Sequence, residues 1–206
     1  MPENPKQEPR CPACRLHTAL CACRLAPKLD LTTRVEVIIH YADAVKMTNS
    51  GRLVSLCLPN SAVHIRGLKD MPLDPLVCTN PASRLALFPG LDSQELTPPY
   101  VAALTPPLTL LIPDGSWRQA RRAVKREPQL QGARRVHLPP GMAAKYRIRA
   151  HANGNRLCTF EALCRALGII EGAVVEQLLD AFFAQWVRRV LYTKGQLTKA
   201  QLAGDM

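Results

Sequence analysis

The chain has 206 residues, of which 47% are hydrophobic and 21% are charged. This balance predicts a globular domain with a proper apolar core and excludes a disordered chain. The longest apolar runs fall well short of the roughly 18 residues that cross a bilayer, and no signal peptide opens the chain, so we expect a cytoplasmic protein without a membrane span.

Positive charge is concentrated in one window of the sequence. Twenty-seven Lys and Arg against 16 Asp and Glu give a formal net charge of +11. Between positions 118 and 156, eleven basic residues face only Glu127, so eleven minus one leaves +10 in this window. Clustered positive charge attracts polyanions, because neutralised phosphates release counterions. We therefore expect RNA as the partner rather than DNA or a membrane, with a merely solvated surface as the alternative.

The first 27 residues are predicted to form a polar, proline-rich tail and a cysteine knuckle, ahead of one α/β domain over residues 28–206. Four cysteines follow a C-x2-C and C-x-C pattern: Cys11, Cys14, Cys21 and Cys23. Two such pairs complete a tetrahedral sulfur shell, for which zinc is the default ion. An iron–sulfur cluster or disulfides are the alternatives, and His17 lies inside the knuckle without being needed as a ligand.

After Pro27, short apolar runs alternate with helical stretches, which favours an α/β layout with a mostly parallel sheet. Residues 34–41 are rich in β-branched side chains and predict a buried strand. Residues 51–58 suit either a helix or a strand, whereas the proline-rich residues 97–107 predict a loop or linker. The other four cysteines lie among apolar residues and are predicted to be buried thiols: Cys57, Cys78, Cys158 and Cys164.

A strand, a turn and a helix are predicted in succession between positions 108 and 128. Residues 108–112 suit a strand, residues 113–115 a tight turn, and Ser116 a helix N-cap, with Pro128 ending the helix. Apolar side chains at helical spacing are expected to face inward: Trp117, Ala120 and Val124. The basic side chains of this helix then fall on its outer face.

Asp114 therefore follows a strand and precedes a helix. Ligands of open α/β sheets bind at the carboxyl edge of the strands, which makes this carboxylate a candidate site residue. The alternative is that Asp114 only caps the helix while Trp117 fills the core.

Two further helices are predicted nearer the C-terminus. Thr159 is expected to cap the first, and Glu161 in its first turn suits the helix dipole. Residues 173–192 predict a long amphipathic helix whose aromatic side chains form core or a partner surface: Phe182, Phe183 and Trp186.

Six segments of the chain resemble, in order, the motifs of the DTW-domain family of tRNA-uridine aminocarboxypropyltransferases. Residues 114–117 resemble D-x-T-W, and residues 40–52 resemble H-P-x-E-x-x-K-x-T-N-T-G. The cysteine knuckle, LALFPG, KYRIR and CTFEA resemble the family's N-terminus and its L-Y-P, Y-x-x-R and S-T-x-E-A blocks. The chain departs from the family pattern at four of these positions: Tyr41 for Pro, Asp43 for Glu, Ser50 for Thr and Ser116 for Thr.

The resemblance implies a SPOUT-like α/β fold, knotted near the C-terminus, with residues 28–206 as the catalytic domain. It also implies transfer of the 3-amino-3-carboxypropyl group from S-adenosylmethionine to N3 of a uridine in tRNA, releasing methylthioadenosine. A SPOUT-type RNA methyltransferase and a non-catalytic zinc-knuckle RNA-binding protein are the rival interpretations. A monomer and a homodimer are both compatible with the sequence.

Site roles follow from the resemblance and from general chemistry. Asp114 is the candidate base for the uridine N3 proton, or else it orients the base or balances the sulfonium charge. Residues expected to bind the donor are Leu87, Pro89, Gly90, Ser116, Trp117, Tyr146, Arg149, Thr159, Glu161 and Ala162. Residues expected to bind RNA phosphates are Arg118, Arg121, Arg122, Lys125 and Arg147. Tyr41 or Trp117 is suited to stack on a displaced uridine.

Overall fold

One parallel sheet organises the protein. The computed structural model describes residues 9–68, 73, 83–141, 144 and 157–203. In this part of the chain the strands are β1 (Arg34–His40), β2 (Ser61–Arg66), β3 (Arg84–Leu87), β4 (Gln94–Glu95), β5 (Thr109–Asp114) and β6 (Arg134–His137). They lie in the order β2-β1-β5-β3-β6-β4, and every neighbouring pair is parallel. The predicted mostly parallel α/β sheet is confirmed.

The described residues also form eight α-helices and three 3-10 turns. The helices are α1 (Tyr41–Ala44), α2 (Val54–Cys57), α3 (Pro98–Ala102), α4 (Trp117–Arg126), α5 (Pro128–Gln131), α6 (Thr159–Glu171), α7 (Ala173–Thr193) and α8 (Lys199–Ala203). The 3-10 turns are Thr18–Leu20, Cys23–Leu25 and Gly51–Leu53. No helix among these residues combines the length and the apolar character that crossing a bilayer requires.

Two apolar clusters flank the sheet because successive strand residues point to opposite faces. Val37 and Ile39 of β1 belong to the larger cluster with α6 and α7, whereas Ile38 belongs to the smaller one with α4 and α5. In the larger cluster the three predicted aromatic side chains of α7 are buried: Phe182, Phe183 and Trp186. They are core residues rather than a partner surface.

The cysteine knuckle packs against that larger cluster. Cys14, Leu16 and Ala22 are fully buried in it, and the Trp186 indole N–H donates to the Cys14 carbonyl at 3.1 Å. Outside the knuckle, Cys57 and Cys164 are buried as predicted and Cys158 is half-buried, whereas Cys78 lies outside the described residues.

Three predicted elements differ in the structure. The proline-rich residues 97–107, predicted as loop, contain α3, because the Thr97 hydroxyl accepts from the Tyr100 N–H and Pro98 suits a first helical turn. Strand β1 ends at His40, one residue earlier than predicted. Of the two alternatives for residues 51–58, the helix is correct, and it covers residues 51–57. Asp114 was predicted in a turn but is the last residue of β5.

Candidate functional site

A cavity of about 540 Å³ opens at the carboxyl edge of the sheet. The ends of three adjacent strands line it with Leu87, Ile112 and His137. Ligands of open parallel sheets bind at this edge, and the volume lies in the range of small-molecule sites. The cavity is therefore the candidate ligand site of the fold.

Half of the residues predicted to bind the donor line this cavity. These are Leu87, Pro89, Trp117, Thr159 and Ala162. Among the described lining residues, Gly90, Ser116 and Glu161 do not appear. The Gly90 N–H donates to the Ser93 hydroxyl at an exposed turn, and the Glu161 carboxylate is buried and accepts from the Cys158 N–H. Tyr146 and Arg149 lie outside the described residues.

Asp114 lies beside the cavity and is not itself among the described lining residues, although its neighbours Pro113 and Gly115 are. Only 9% of Asp114 is exposed. Its Oδ2 accepts from the Asn49 side-chain amide at 2.6 Å, and its Oδ1 accepts from the Thr159 hydroxyl at 2.5 Å. Two donors favour the ionised carboxylate and hold it in one orientation.

The Thr159 hydroxyl is therefore engaged with Asp114, and the prediction that Thr159 caps α6 is wrong. Cys158 is the N-cap, and Glu161 completes a capping box with it. Because Thr159 also lines the cavity, its hydroxyl links the buried carboxylate to the ligand space.

The segment around Asn49 locks this arrangement. A Cβ on Gly51 would lie 2.5 Å from Asp114 Oδ2 and 3.1 Å from Val37 Cγ1, so the chain approaches the carboxylate only because no side chain is there. The Ser50 hydroxyl accepts from the Phe160 N–H at 3.3 Å. Residues 49–51, Asp114 and the start of α6 thus form one hydrogen-bonded unit.

Asn49 was not among the predicted site residues. Its signal in the sequence is the T-N-S-G run, where an amide next to a glycine suits a close backbone approach. The carboxylate that it holds is 65 positions away, which no local pattern indicates.

Helix α4 begins at the mouth of the cavity. The Ser116 hydroxyl accepts from the Gln119 N–H, and the Gln119 side chain accepts from the Ser116 N–H, which makes a capping box and confirms the predicted N-cap. Trp117 is 47% exposed and packs against Phe88 at 5.5 Å between ring centroids. Its prediction as an inward residue is wrong, although Ala120 and Val124 are buried as expected.

The outer face of α4 is basic and open to solvent. The side chains predicted to bind RNA there are all exposed: Arg118, Arg121, Arg122 and Lys125. Arg147 lies outside the described residues. The exposed cations start directly beside the cavity mouth because Arg118 follows Trp117.

Arg165 is a second residue that the sequence analysis missed. It lies on α6 and lines the cavity together with Thr159 and Ala162, at a spacing of three residues that puts all three on one helix face. Its guanidinium Nη1 would lie 3.7 Å from a Cβ on Gly141, which places it beside the loop after β6. The helical spacing from Thr159 was the available signal.

The four predicted metal ligands come together in the knuckle. The Sγ atoms of Cys11, Cys14, Cys21 and Cys23 all lie within 4.8 Å of one another. The Cys11–Cys23 and Cys14–Cys21 sulfur distances are 3.6 and 3.8 Å. A tetrahedral zinc with bonds of about 2.3 Å requires sulfur separations of about 3.8 Å, so the cluster fits such an ion. None of the four lines the cavity.

Known proteins are similar in sequence to most of this chain. It is 27% identical over 175 residues to tRNA-uridine aminocarboxypropyltransferase 2 of Macaca fascicularis, covering 82% of this chain and 59% of that protein. It is 25% identical over 209 residues to tRNA-uridine aminocarboxypropyltransferase A of Arabidopsis thaliana, covering 86% of this chain and 79% of that one. The chain thus spans about three fifths of the length of its mammalian relatives, with 59% of the mouse protein also covered.

A solved structure, that of the SAM-dependent rRNA:acp-transferase Tsr3 from Vulcanisaeta distributa, matches with a TM-score of 0.49 and 19% identity, covering 85% of each chain. That similarity is too low to support an inference. The model of the DTW domain, in contrast, matches residues 8–191, from the knuckle to the end of α7. The chain therefore belongs to the DTW domain family.

Proposed function

We propose that this protein transfers the 3-amino-3-carboxypropyl group of S-adenosylmethionine to N3 of a uridine in tRNA. The observation that carries the proposal is the carboxylate of Asp114, held by Asn49 and Thr159 beside a cavity of about 540 Å³ that Thr159 lines. Residues from three family motifs meet there, and relatives sharing the domain are named for this activity.

In the proposed reaction, uridine N3 loses its proton and bonds to the γ-carbon of the donor. The bond between that carbon and the sulfonium breaks, and methylthioadenosine leaves. The donor supplies the electrophilic carbon, and the cavity must present that carbon rather than the methyl group. Trp117 and Phe88 at the mouth, with Ile112 and Pro113 at the strand end, form an apolar wall for this task.

Asp114 is the proposed catalytic residue. Its two hydrogen bonds hold it in one orientation, a carboxylate charge complements a sulfonium, and a carboxylate oxygen can accept the N3 proton. Thr159 lies between this carboxylate and the cavity and is the proposed link to the reacting groups.

Arg165 is the proposed partner of the donor's amino-acid carboxylate, because a guanidinium binds a carboxylate with two parallel hydrogen bonds. Replacing Arg165 by Met should raise KM for S-adenosylmethionine by roughly ten- to a hundredfold, since a hydrogen bond to a charged group is lost. The measurement is methylthioadenosine release at varied donor concentration. Arg165→Lys keeps the charge and should recover part of the loss, whereas an unchanged KM in Arg165→Met would remove the residue from the donor site.

The outer face of α4 is the proposed tRNA surface. The double variant Arg121→Glu/Arg122→Glu should weaken tRNA binding and lower the slope of log Kd against log salt by about two, because each phosphate contact releases close to one counterion. Filter binding across a salt series measures both quantities. Lys194→Glu/Lys199→Glu makes the same change of charge at exposed positions outside α4 and should leave the slope unchanged. An unaltered slope in the α4 variant would move the RNA surface elsewhere.

The finer structural assignments are part of the same proposal. The four knuckle thiolates would hold a structural zinc ion, since soft sulfur ligands with no redox role favour zinc. Free thiols in the knuckle suit a reducing compartment and support a cytoplasmic location. The parallel sheet supports the SPOUT-like class, and the knot near the C-terminus stays a prediction.

Product analysis tests the proposal. The protein is incubated with S-adenosylmethionine and unmodified tRNA, and small molecules and digested nucleosides are then analysed by mass. We expect methylthioadenosine and a uridine carrying the aminocarboxypropyl group. S-adenosylhomocysteine with a methylated nucleoside would assign the rival methyltransferase activity, and unchanged donor and tRNA would leave only RNA binding.

A further inference from the structure

An aromatic pair is exposed at the end of β1. The rings of His40 and Tyr41 lie 4.8 Å apart at an interplanar angle of 31°. Tyr41 is 45% exposed and belongs to neither of the two apolar clusters. Its ring is therefore a surface ring and not part of the core. The tyrosine ring is thus open to solvent while it stays in contact with the histidine ring.

The orientation of these rings is fixed by the backbone around them. Gly67 has a φ of +83°, and a Cβ there would lie 3.1 Å from His40 Nε2 and 3.4 Å from Tyr41 Cδ1. On the other side, His40 Nδ1 accepts from the Ala42 N–H at 3.3 Å, so Nε2 carries the proton of the neutral ring. The glycine therefore lets the main chain pass directly against both rings.

The pair and the cavity lie on opposite sides of the same turn. Ile39 of β1 is paired with Asp114 of β5, so His40 and Tyr41 follow at the carboxyl edge of the sheet. A Cβ on Gly115 would lie 3.4 Å from His40 Cβ, while Gly115 also lines the cavity. The aromatic pair is therefore adjacent to the cavity, next to its lining residue Gly115.

An exposed arginine lies near the pair. Burial and then the charge of Arg66 lower the pKa of His40, and Lys46 and Arg122 act in the same direction against Asp43. Arg66 and Lys46 form ion pairs with Glu127 and Asp43, whereas Arg122 is exposed on α4. An exposed ring beside an exposed arginine suits an unpaired nucleotide, with the base on the ring and the phosphate on the guanidinium.

We propose that Tyr41, supported by His40 and Gly67, stacks on an unpaired base of the RNA substrate that neighbours the uridine in the cavity. The inference rests on the proposed function, since it takes RNA as the substrate. It assigns Trp117 to the cavity mouth and Tyr41 to the flanking nucleotide, so that the two exposed rings hold different bases.

Binding of unmodified tRNA over a salt series tests this assignment. Tyr41→Ala should weaken binding about tenfold, because one base–aromatic stack is lost. The salt slope should stay as in the wild type, because a neutral ring releases no counterion. Tyr41→Trp should keep the affinity, and Gly67→Ala should reproduce the loss while leaving the tyrosine in place. Leu178→Ala removes a similarly exposed apolar side chain from α7 and is the matched control.

The outcomes separate this inference from the proposed function. Wild-type affinity in Tyr41→Ala, with methylthioadenosine still formed, overturns the stacking role and leaves the transferase proposal intact. A loss of tRNA affinity that is accompanied by lost donor binding, a lower melting temperature or a changed salt slope also overturns it. A wild-type chain that binds no tRNA and releases no methylthioadenosine overturns both.

Discussion

Asp114→Asn is expected to lower the rate of aminocarboxypropyl transfer by on the order of a hundredfold or more, with donor binding reduced far less. The substitution keeps the shape of the side chain but removes the negative charge. Asparagine is preferable to alanine here, because its oxygen still accepts from the Asn49 amide and the Thr159 hydroxyl can turn to accept from its NH2 group, whereas alanine would leave both without a partner. Each such loss costs about 1–3 kcal/mol of stability and would obscure the catalytic effect.

A matched control exists in β1. Glu36 is also fully buried and also bonded to two partners, with Arg34 Nε on one oxygen and His64 Nε2 on the other, each at 2.5 Å. It lies toward the amino end of β1, away from the carboxyl edge at which the cavity opens. Glu36→Gln should therefore reduce stability without abolishing transfer. Equal activity of Asp114→Asn and wild type would end the catalytic assignment.

The residual activity of Asp114→Asn distinguishes two roles of the carboxylate. If Asp114 removes the N3 proton, raising the pH should restore part of the activity, because more uridine then ionises without help. If Asp114 instead balances the sulfonium charge or orients the base, the activity ratio to wild type should stay constant with pH. Methylthioadenosine release at saturating donor, measured over a pH series, gives this ratio directly.

The fold was predictable where the signal is local. Strand β1 is a run of β-branched residues, and Ser116 begins α4 because a short hydroxyl can accept from the free amides of the first turn. Helix α3 was missed because proline is counted against helices, although Pro98 occupies a first-turn position where its fixed φ is suitable. Composition does not distinguish that position from a loop.

The site was only partly predictable because its contacts are not local. The Asn49–Asp114 and Thr159–Asp114 hydrogen bonds join residues 65 and 45 positions apart. Local sequence patterns do not indicate contacts over such separations. The family motifs located the carboxylate and the cavity wall. They did not separate Thr159, which reaches the ligand space, from Glu161, which caps α6 from a buried position.

Cys14→Ser is expected to abolish stoichiometric metal binding and to lower the melting temperature by roughly 10 °C or more, since a structural zinc site contributes several kcal/mol to folding. Cys14 is the ligand whose loss should matter most. It is fully buried, and its carbonyl accepts from the Trp186 indole, so the knuckle is joined to the core at this residue. Metal content by mass spectrometry and thermal unfolding measure the two effects.

Cys57→Ser is the control for burying a hydroxyl in place of a thiol. Burial raises the pKa of Cys57 to about 12, and this thiol lies in the apolar core, outside the group of four knuckle sulfurs. Its serine variant should keep one metal ion per chain and lose less stability than Cys14→Ser. A Cys14→Ser protein that retains the ion would contradict the zinc assignment. So would a wild-type chain that is purified without metal and is as stable as the metal-bound protein.

Removal of the metal from the wild type by a chelator should lower its melting temperature to that of Cys14→Ser, because both treatments remove the ion that cross-links the knuckle.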